Sequence, residues 1–91
     1  MRLEWSQFAL QDIADAEEFL AGRSPITAQQ MAERVQQRIE LLQDQPLLGR
    51  LGRLGGTREL VIIGTPFIAV YQLRGDVLFI LRLLHHARRW P

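Results

Sequence analysis

The spacing of apolar residues changes character twice along the chain. From Ser6 to about Ala21, Ala9, Ile13, Ala16, Phe19 and Leu20 recur at helical spacing, with Gln11, Asp12, Asp15 and Glu18 on the opposite side. This predicts an amphipathic helix with Ser6 as N-cap and Gly22 placed to end it in the left-handed conformation. A second helix opens at Ser24-Pro25, with Ser24 capping and Pro25 at the first helical position. Its stripe is Ala28, Met31, Ala32, Val35, Ile39 and Leu42, its polar side holds Glu33, Arg34, Gln37, Arg38 and Glu40, and Pro46 is its expected stop. The short turn between the two makes an antiparallel hairpin. From Thr57 the pattern becomes strand-like, in three runs, Arg58–Ile63, Phe67–Leu73 and Val77–His86, rich in Val, Ile, Leu, Phe and Tyr. Gly64-Thr65-Pro66 and Arg74-Gly75-Asp76 join them, and connections this short make antiparallel neighbours, with Gly75 suited to positive φ. Arg2–Trp5 is a short β-like opening expected at a sheet edge.

The fold expected from this pattern is α+β: an N-terminal helical hairpin packed on one face of an antiparallel sheet of about four strands, in a single domain spanning residues 1–91. The expected core is Ile13, Phe19, Met31, Val35, Ile39, Leu60, Ile62, Tyr71, Phe79 and Leu81. The last strand is apolar on both sides: Val77, Phe79, Leu81 and Leu83 on one, Leu78, Ile80 and Leu84 on the other, with Arg82 among the latter. Apolar residues on both faces imply that both are covered, one by the hairpin and the other by a partner or a second copy.

Composition narrows the chemistry. At 91 residues one domain is expected, and the absence of cysteine excludes disulfides and thiolate metal sites. No apolar run approaches the ~20 residues of a membrane helix, and the N-terminus lacks the apolar core of a signal peptide. The expectation is a soluble cytoplasmic protein with no membrane partner. A net charge of +1 argues against bulk nucleic-acid binding. The eleven basic residues are all arginine, however, and seven of them (Arg50, Arg53, Arg58, Arg74, Arg82, Arg88 and Arg89) lie at or after position 50, against Glu59 and Asp76 alone. The second half is therefore locally basic, with forks suited to phosphate or carboxylate. Residues 45–56 read as a connector presenting Arg50 and Arg53. Its four glycines argue against regular structure, and no strand precedes or helix follows it as a phosphate-binding loop would need. His85 and His86 titrate in the right range for acid–base work. Adjacent residues on a strand point to opposite faces, so the pair is not expected to share a metal, and no cofactor is implied. Ala87-Arg88-Arg89-Trp90-Pro91 is a basic, aromatic end suited to contact.

The order strand–helix–helix–three strands, with particular residues in it, resembles the ParE/RelE superfamily of toxins from type II toxin–antitoxin modules. The carrying residues are Leu3-Glu4-Trp5-Ser6 with Ala9, Asp12 and Ile13; Pro46-Leu47-Leu48-Gly49-Arg50; Gly56-Thr57-Arg58-Glu59-Leu60; Gly64-Thr65-Pro66-Phe67 leading to Val70-Tyr71; and Ile80-Leu81-Arg82-Leu83-Leu84-His85 with Ala87-Arg88. The resemblance runs almost end to end. It implies a cognate antitoxin, a toxin–antitoxin hetero-oligomer and one of two activities. RelE-like members cut mRNA on the ribosome and need groups that activate a ribose hydroxyl and stabilise a phosphate. ParE-like members poison DNA gyrase by binding it. The ribonucleases typically carry an arginine three residues before the strand tyrosine; here that position is Ile68, and the preceding strand, where lysines often sit, reads Leu60-Val61-Ile62-Ile63. The sequence therefore looks ParE-like, with no catalytic residues expected and with Arg58, Arg82, Arg88, Arg89 and Trp90 as target-binding candidates. In the alternative, a ribonuclease acting on ribosome and mRNA, the catalytic candidates are Arg58, Arg82, His85 and His86.

Overall fold

The computed structural model describes residues 1–86; Arg88, Arg89 and Trp90, named above as contact residues, lie outside the described residues. The elements in chain order are β1 (Arg2–Trp5), α1 (Gln7–Ala21), α2 (Pro25–Leu41), β2 (Arg50–Leu51), β3 (Arg58–Val61), β4 (Phe67–Arg74) and β5 (Val77–His85). The sheet order is β1-β5-β4-β3-β2. The α+β architecture is the expected one, with two departures. The sheet has five strands rather than about four, because residues 50 and 51 of the glycine-rich connector pair with Glu59 and Arg58. It is also mixed rather than wholly antiparallel, because β1 runs parallel to β5, with Arg2 opposite Val77 and Trp5 opposite Ile80. The long excursion through both helices returns the chain beside its own beginning, which a parallel pair requires.

Both N-caps form as the sequence implies. Ser6 Oγ accepts from the Ala9 amide at 3.0 Å and Ser24 Oγ from the Thr27 amide at 3.2 Å. The helix ends differ from expectation. Gly22 has φ −81°, because the chain passes through an ordinary turn directly into the Ser24 cap. The second helix ends at Leu41, five residues before Pro46, and unwinds through i→i−3 bonds from the amides of Leu42, Gln43 and Asp44. Gly64 and Gly75 adopt positive φ in the two strand connections.

β1 covers the β5 edge only as far as Ile80, and α1 takes over from there. Ser6 donates its amide to the Ile80 carbonyl (2.9 Å) and its hydroxyl to the Leu81 carbonyl (2.7 Å), while the Asp12 carboxylate accepts from the Leu83 amide (2.9 Å). Side chains of a helix thus complete the hydrogen bonding that a strand would supply, and the edge is closed.

A register shift between Val70 and Tyr71 places Tyr71 opposite Ile80 and Val70 opposite Arg82, leaving Leu81 as the extra residue. The bulge changes which side chains of β5 face the helices: Leu78 and Ile80 before it, Leu83 after it. They form one core with Ala9, Ala16, Ile39, Leu42, Leu60, Ile62, Phe67, Ala69 and Tyr71. Ile13, Phe19 and Val35 pack against this core half-buried. Of the other expected core residues, Met31, Phe79 and Leu81 are also only half-buried. On the remote face Ile68, Val70, Val77 and Leu84 are buried too, whereas Val61, opposite Ile68, is 42% exposed, so the apolar surface there is bare only in part. No helix among the described residues is long and apolar enough to cross a membrane.

Candidate functional site

Asp12 lies three residues after Ala9 and four before Ala16, and the three together form the buried face of α1. The sequence reading had set Asp12 on the polar side. Its carboxylate instead receives a bidentate fork from Arg82, Nε to Oδ2 at 2.7 Å and Nη2 to Oδ1 at 3.0 Å, besides the Leu83 amide. Arg82, first a target-binding or catalytic candidate, therefore ties α1 to β5. The hydrogen bond to Asp12 raises its already high pKa, against the opposing effect of burial.

At the other end of the sheet three side chains fix the connector between α2 and β3. Tyr71 is fully buried; its hydroxyl donates to the Pro46 carbonyl (2.7 Å) and accepts from the Gly49 amide (2.8 Å). Burial raises its pKa, outweighing the Gly49 amide and the charge of Arg58. Position 49 must be glycine, since a Cβ there would lie 2.7 Å from the tyrosine ring and hydroxyl. Arg58 donates to the carbonyls of Gly49 (2.8 Å) and Leu47 (3.4 Å). Glu59, 2% exposed, accepts from the Arg53 amide (2.9 Å), from the Arg53 guanidinium (3.3 Å) and from Arg50 (3.4 Å). The buried carboxylates form the ion pairs Glu59 with Arg50 and Arg53, and Asp12 with Arg82. The spacing Ala9-Asp12-Ala16 was the available signal for the second. The first had none, because its arginines come from the glycine-rich connector.

Replacing Tyr71 by phenylalanine keeps the ring but strands the buried Gly49 amide and the Pro46 carbonyl. The expected cost is about 1–3 kcal/mol, seen as a lower urea midpoint with an unchanged slope.

The four residues of the ribonuclease alternative are not gathered. Arg58 stands opposite Tyr71 and Arg82 opposite Val70, so they project from opposite sheet faces. His85 stands opposite Phe67, four residues and about 13 Å along β4 from Tyr71. Its ring meets Phe19 edge-on at 5.2 Å and Phe67 at 6.0 Å, in an aromatic cluster topped by the Arg23 guanidinium 4.4 Å over Phe19. β5 ends at His85, so His86 does not alternate to the far side as expected; its ring lies 5.6 Å from that of His85, with its amide on the Pro66 carbonyl. Among the described residues no group of three or more His, Asp or Glu is placed to hold a metal.

A cleft of about 430 Å³ opens between the two helices and the sheet, floored by Trp5, Ile13, Val35, Ile39 and Phe67, with Glu17 and Glu40 among its lining residues.

The fold is that of small α+β toxins. A chain of the chromosomal ParDE TA system from P. aeruginosa superposes with a TM-score of 0.80 at 24% identity, over 93% of this chain and 95% of that one. A copper-bound mutant toxin from Helicobacter pylori does so at 0.68 and 20% identity, over 99% of each. The sequence model of the ParE toxin of the type II toxin-antitoxin system, parDE, matches residues 3–90. Putative toxin Y4kP of Sinorhizobium fredii is 31% identical, over 99% of this chain and 93% of its own, and toxin RelE2 of Caulobacter vibrioides is 32% identical, over 92% and 93%. The chain belongs to the ParE toxin family of type II toxin–antitoxin systems.

Proposed function

We propose that this toxin arrests growth by binding DNA gyrase rather than by cutting mRNA. The observation that carries the reading is the dispersal of the acid–base set. Arg82 is held by Asp12 and Arg58 by loop carbonyls, Tyr71 has its hydroxyl bonded on both sides, and the position of the expected arginine is the buried Ile68. A ribonuclease would lose roughly 10²–10³-fold for each missing transition-state contact. The decisive comparison gives purified toxin two substrates: plasmid supercoiling by gyrase, and mRNA on programmed ribosomes. Inhibited supercoiling with intact mRNA is the expected result. Codon-spaced cuts with untouched gyrase reject the reading and make His85 and His86 the residues to pursue.

The partner that restrains the toxin is a cognate antitoxin, joined to it in a hetero-oligomer. The sequence had suggested the remote sheet face as its seat, where Ile68, Val70, Val77 and Leu84 are buried and Val61 is exposed. The cleft between the helices and the sheet suits it better, since an amphipathic segment could lay leucines on Trp5 and Val35 and basic residues against Glu17 and Glu40. Truncating a co-expressed antitoxin to its N-terminal half should abolish complex formation; one-to-one co-purification of the truncated form would reject this.

A further inference from the structure

The cleft between the helices and the sheet is open although its walls are apolar. Ala16 and Leu20 of α1 and Ala32 and Val35 of α2 line its volume of about 430 Å³. Burying apolar surface is favourable, so two such walls draw together unless something holds them apart. The core packing of α2 resists this only weakly. Within the helix Ile39 alone is buried, Val35 is half-buried, and residues 25–34 bury no side chain. Its firm attachments lie at its ends: the short turn from α1, and beyond Ile39 the buried Leu42 and Gln43, whose side chain donates to the Met1 carbonyl (3.1 Å).

Midway along, Arg34 makes a contact on the other flank. It is two residues from both Ala32 and Gln36, which line the cleft, so at about 100° per residue it projects from the opposite side of α2. Its guanidinium lies on the backbone of Gly64, in the turn between β3 and β4. A Cβ at Gly64 would collide with Nη1 of Arg34 and stand 2.8 Å from its Cζ. Gly64 also has φ +84°, so its conformation and its neighbour both select glycine. Among the described residues Arg34 has no ion pair, so the contact is one of packing and not of charge.

We propose that Arg34 is a strut: seated on Gly64, it holds α2 away from α1 and keeps the cleft open for its occupant. A partner then meets a preorganised seat. Without the strut the closed form competes, and the partner's apparent affinity falls by the fraction of molecules still open. This rests on the proposed function only in taking that occupant to be the antitoxin.

The chain has no cysteine, so a pair of introduced ones reports the helix separation without interference. Glu18 and Glu33 are exposed, one on each helix, and neither lines the cleft. Spin labels on Glu18→Cys/Glu33→Cys give a distance distribution for the free, full-length toxin by pulsed electron spin resonance. Adding Arg34→Ala should shift it to shorter distance by on the order of 3 Å, towards the roughly 8–10 Å axial spacing of directly packed helices. Gly64→Ala should do the same from the other side of the contact, because its Cβ displaces the guanidinium. An Arg34→Ala distribution that overlies that of wild type, or moves to longer distance, overturns the proposal; so does Gly64→Ala at wild-type separation. Antitoxin association, measured on the unlabelled proteins, separates the two readings. If the cleft seats the antitoxin, Arg34→Ala should slow association on the order of tenfold, the factor for a form open in one molecule in ten, and leave dissociation unchanged. A shortened distance with unchanged association keeps the strut and rejects the cleft as the antitoxin's seat.

Discussion

Asp12→Ala is expected to lower the unfolding free energy by about 3 kcal/mol, at the low end of the range for breaking a buried ion pair. The substitution removes the acceptor of two guanidinium bonds and of the Leu83 amide at once. The low end applies because the Arg82 side chain is 33% exposed and regains some water when its partner is lost, whereas the Leu83 amide is buried. Asp12→Asn keeps an acceptor but not the charge, so about half the loss should return. For a domain whose total stability is about 5–15 kcal/mol, that is roughly a fifth to more than half of the total. Urea unfolding of wild type, both Asp12 variants, Arg82→Ala and the double variant forms a cycle; a coupling of about 1–3 kcal/mol is expected. A cost below about 0.5 kcal/mol for Asp12→Ala, the usual size of a surface substitution, would show that the clamp does not hold α1 to β5. The consequence for function is direct: loss of toxicity in an Arg82 variant is evidence of target contact only if its melting curve is unchanged.

The helical hairpin was legible in the sequence because local signals agreed: Ser6, Ser24 and Pro25 at the caps and apolar stripes at helical spacing. The three C-terminal strands were legible from β-branched and aromatic runs between short turns. The parallel pairing of β1 with β5 was not, because a four-residue strand carries no sign of which distant strand it joins. Nor was the facing of β5. A strand apolar on both sides does not declare its inner face, and the bulge at Leu81 exchanges the faces midway, so Leu78 and Ile80 are buried where Phe79 and Leu81 were expected. Among the described residues two charged side chains are interior; Asp12 was misplaced and the burial of Glu59 was not foreseen, for one reason. Pattern reading sends carboxylates to solvent, and only the fold brings Arg82 seventy residues along the chain to one, and a glycine-rich connector to the other. Arg58 and Arg82 read as a basic surface from sequence; in the fold they are spent on loop carbonyls and on an ion pair.

Acidification should weaken the fold through Glu59, and Glu59→Gln should remove that dependence. Burial of this carboxylate works to raise its pKa and is the largest single influence, but the Arg53 amide, the Arg53 guanidinium and Arg50 together outweigh it and hold the group below its ordinary 4.5. A depressed carboxylate contributes stability that is fully present above the ordinary value and is lost as pH falls through it towards the folded-state value. At pH 7 the glutamine variant should be less stable by about 2–3 kcal/mol, because its amide group offers donors to two guanidinium groups that need acceptors. Below about pH 4.5 wild type loses the same contribution by protonation, so the two unfolding free energies should converge. Unfolding by urea at intervals from pH 7 to pH 3 measures the difference directly, and other carboxylates cancel because both proteins carry them. A gap that stays constant across that range would mean that Glu59 acts by shape rather than by charge. Convergence would identify the Glu59 carboxylate as the group that keeps Arg50 and Arg53 on the sheet, and with them the connector between α2 and β3.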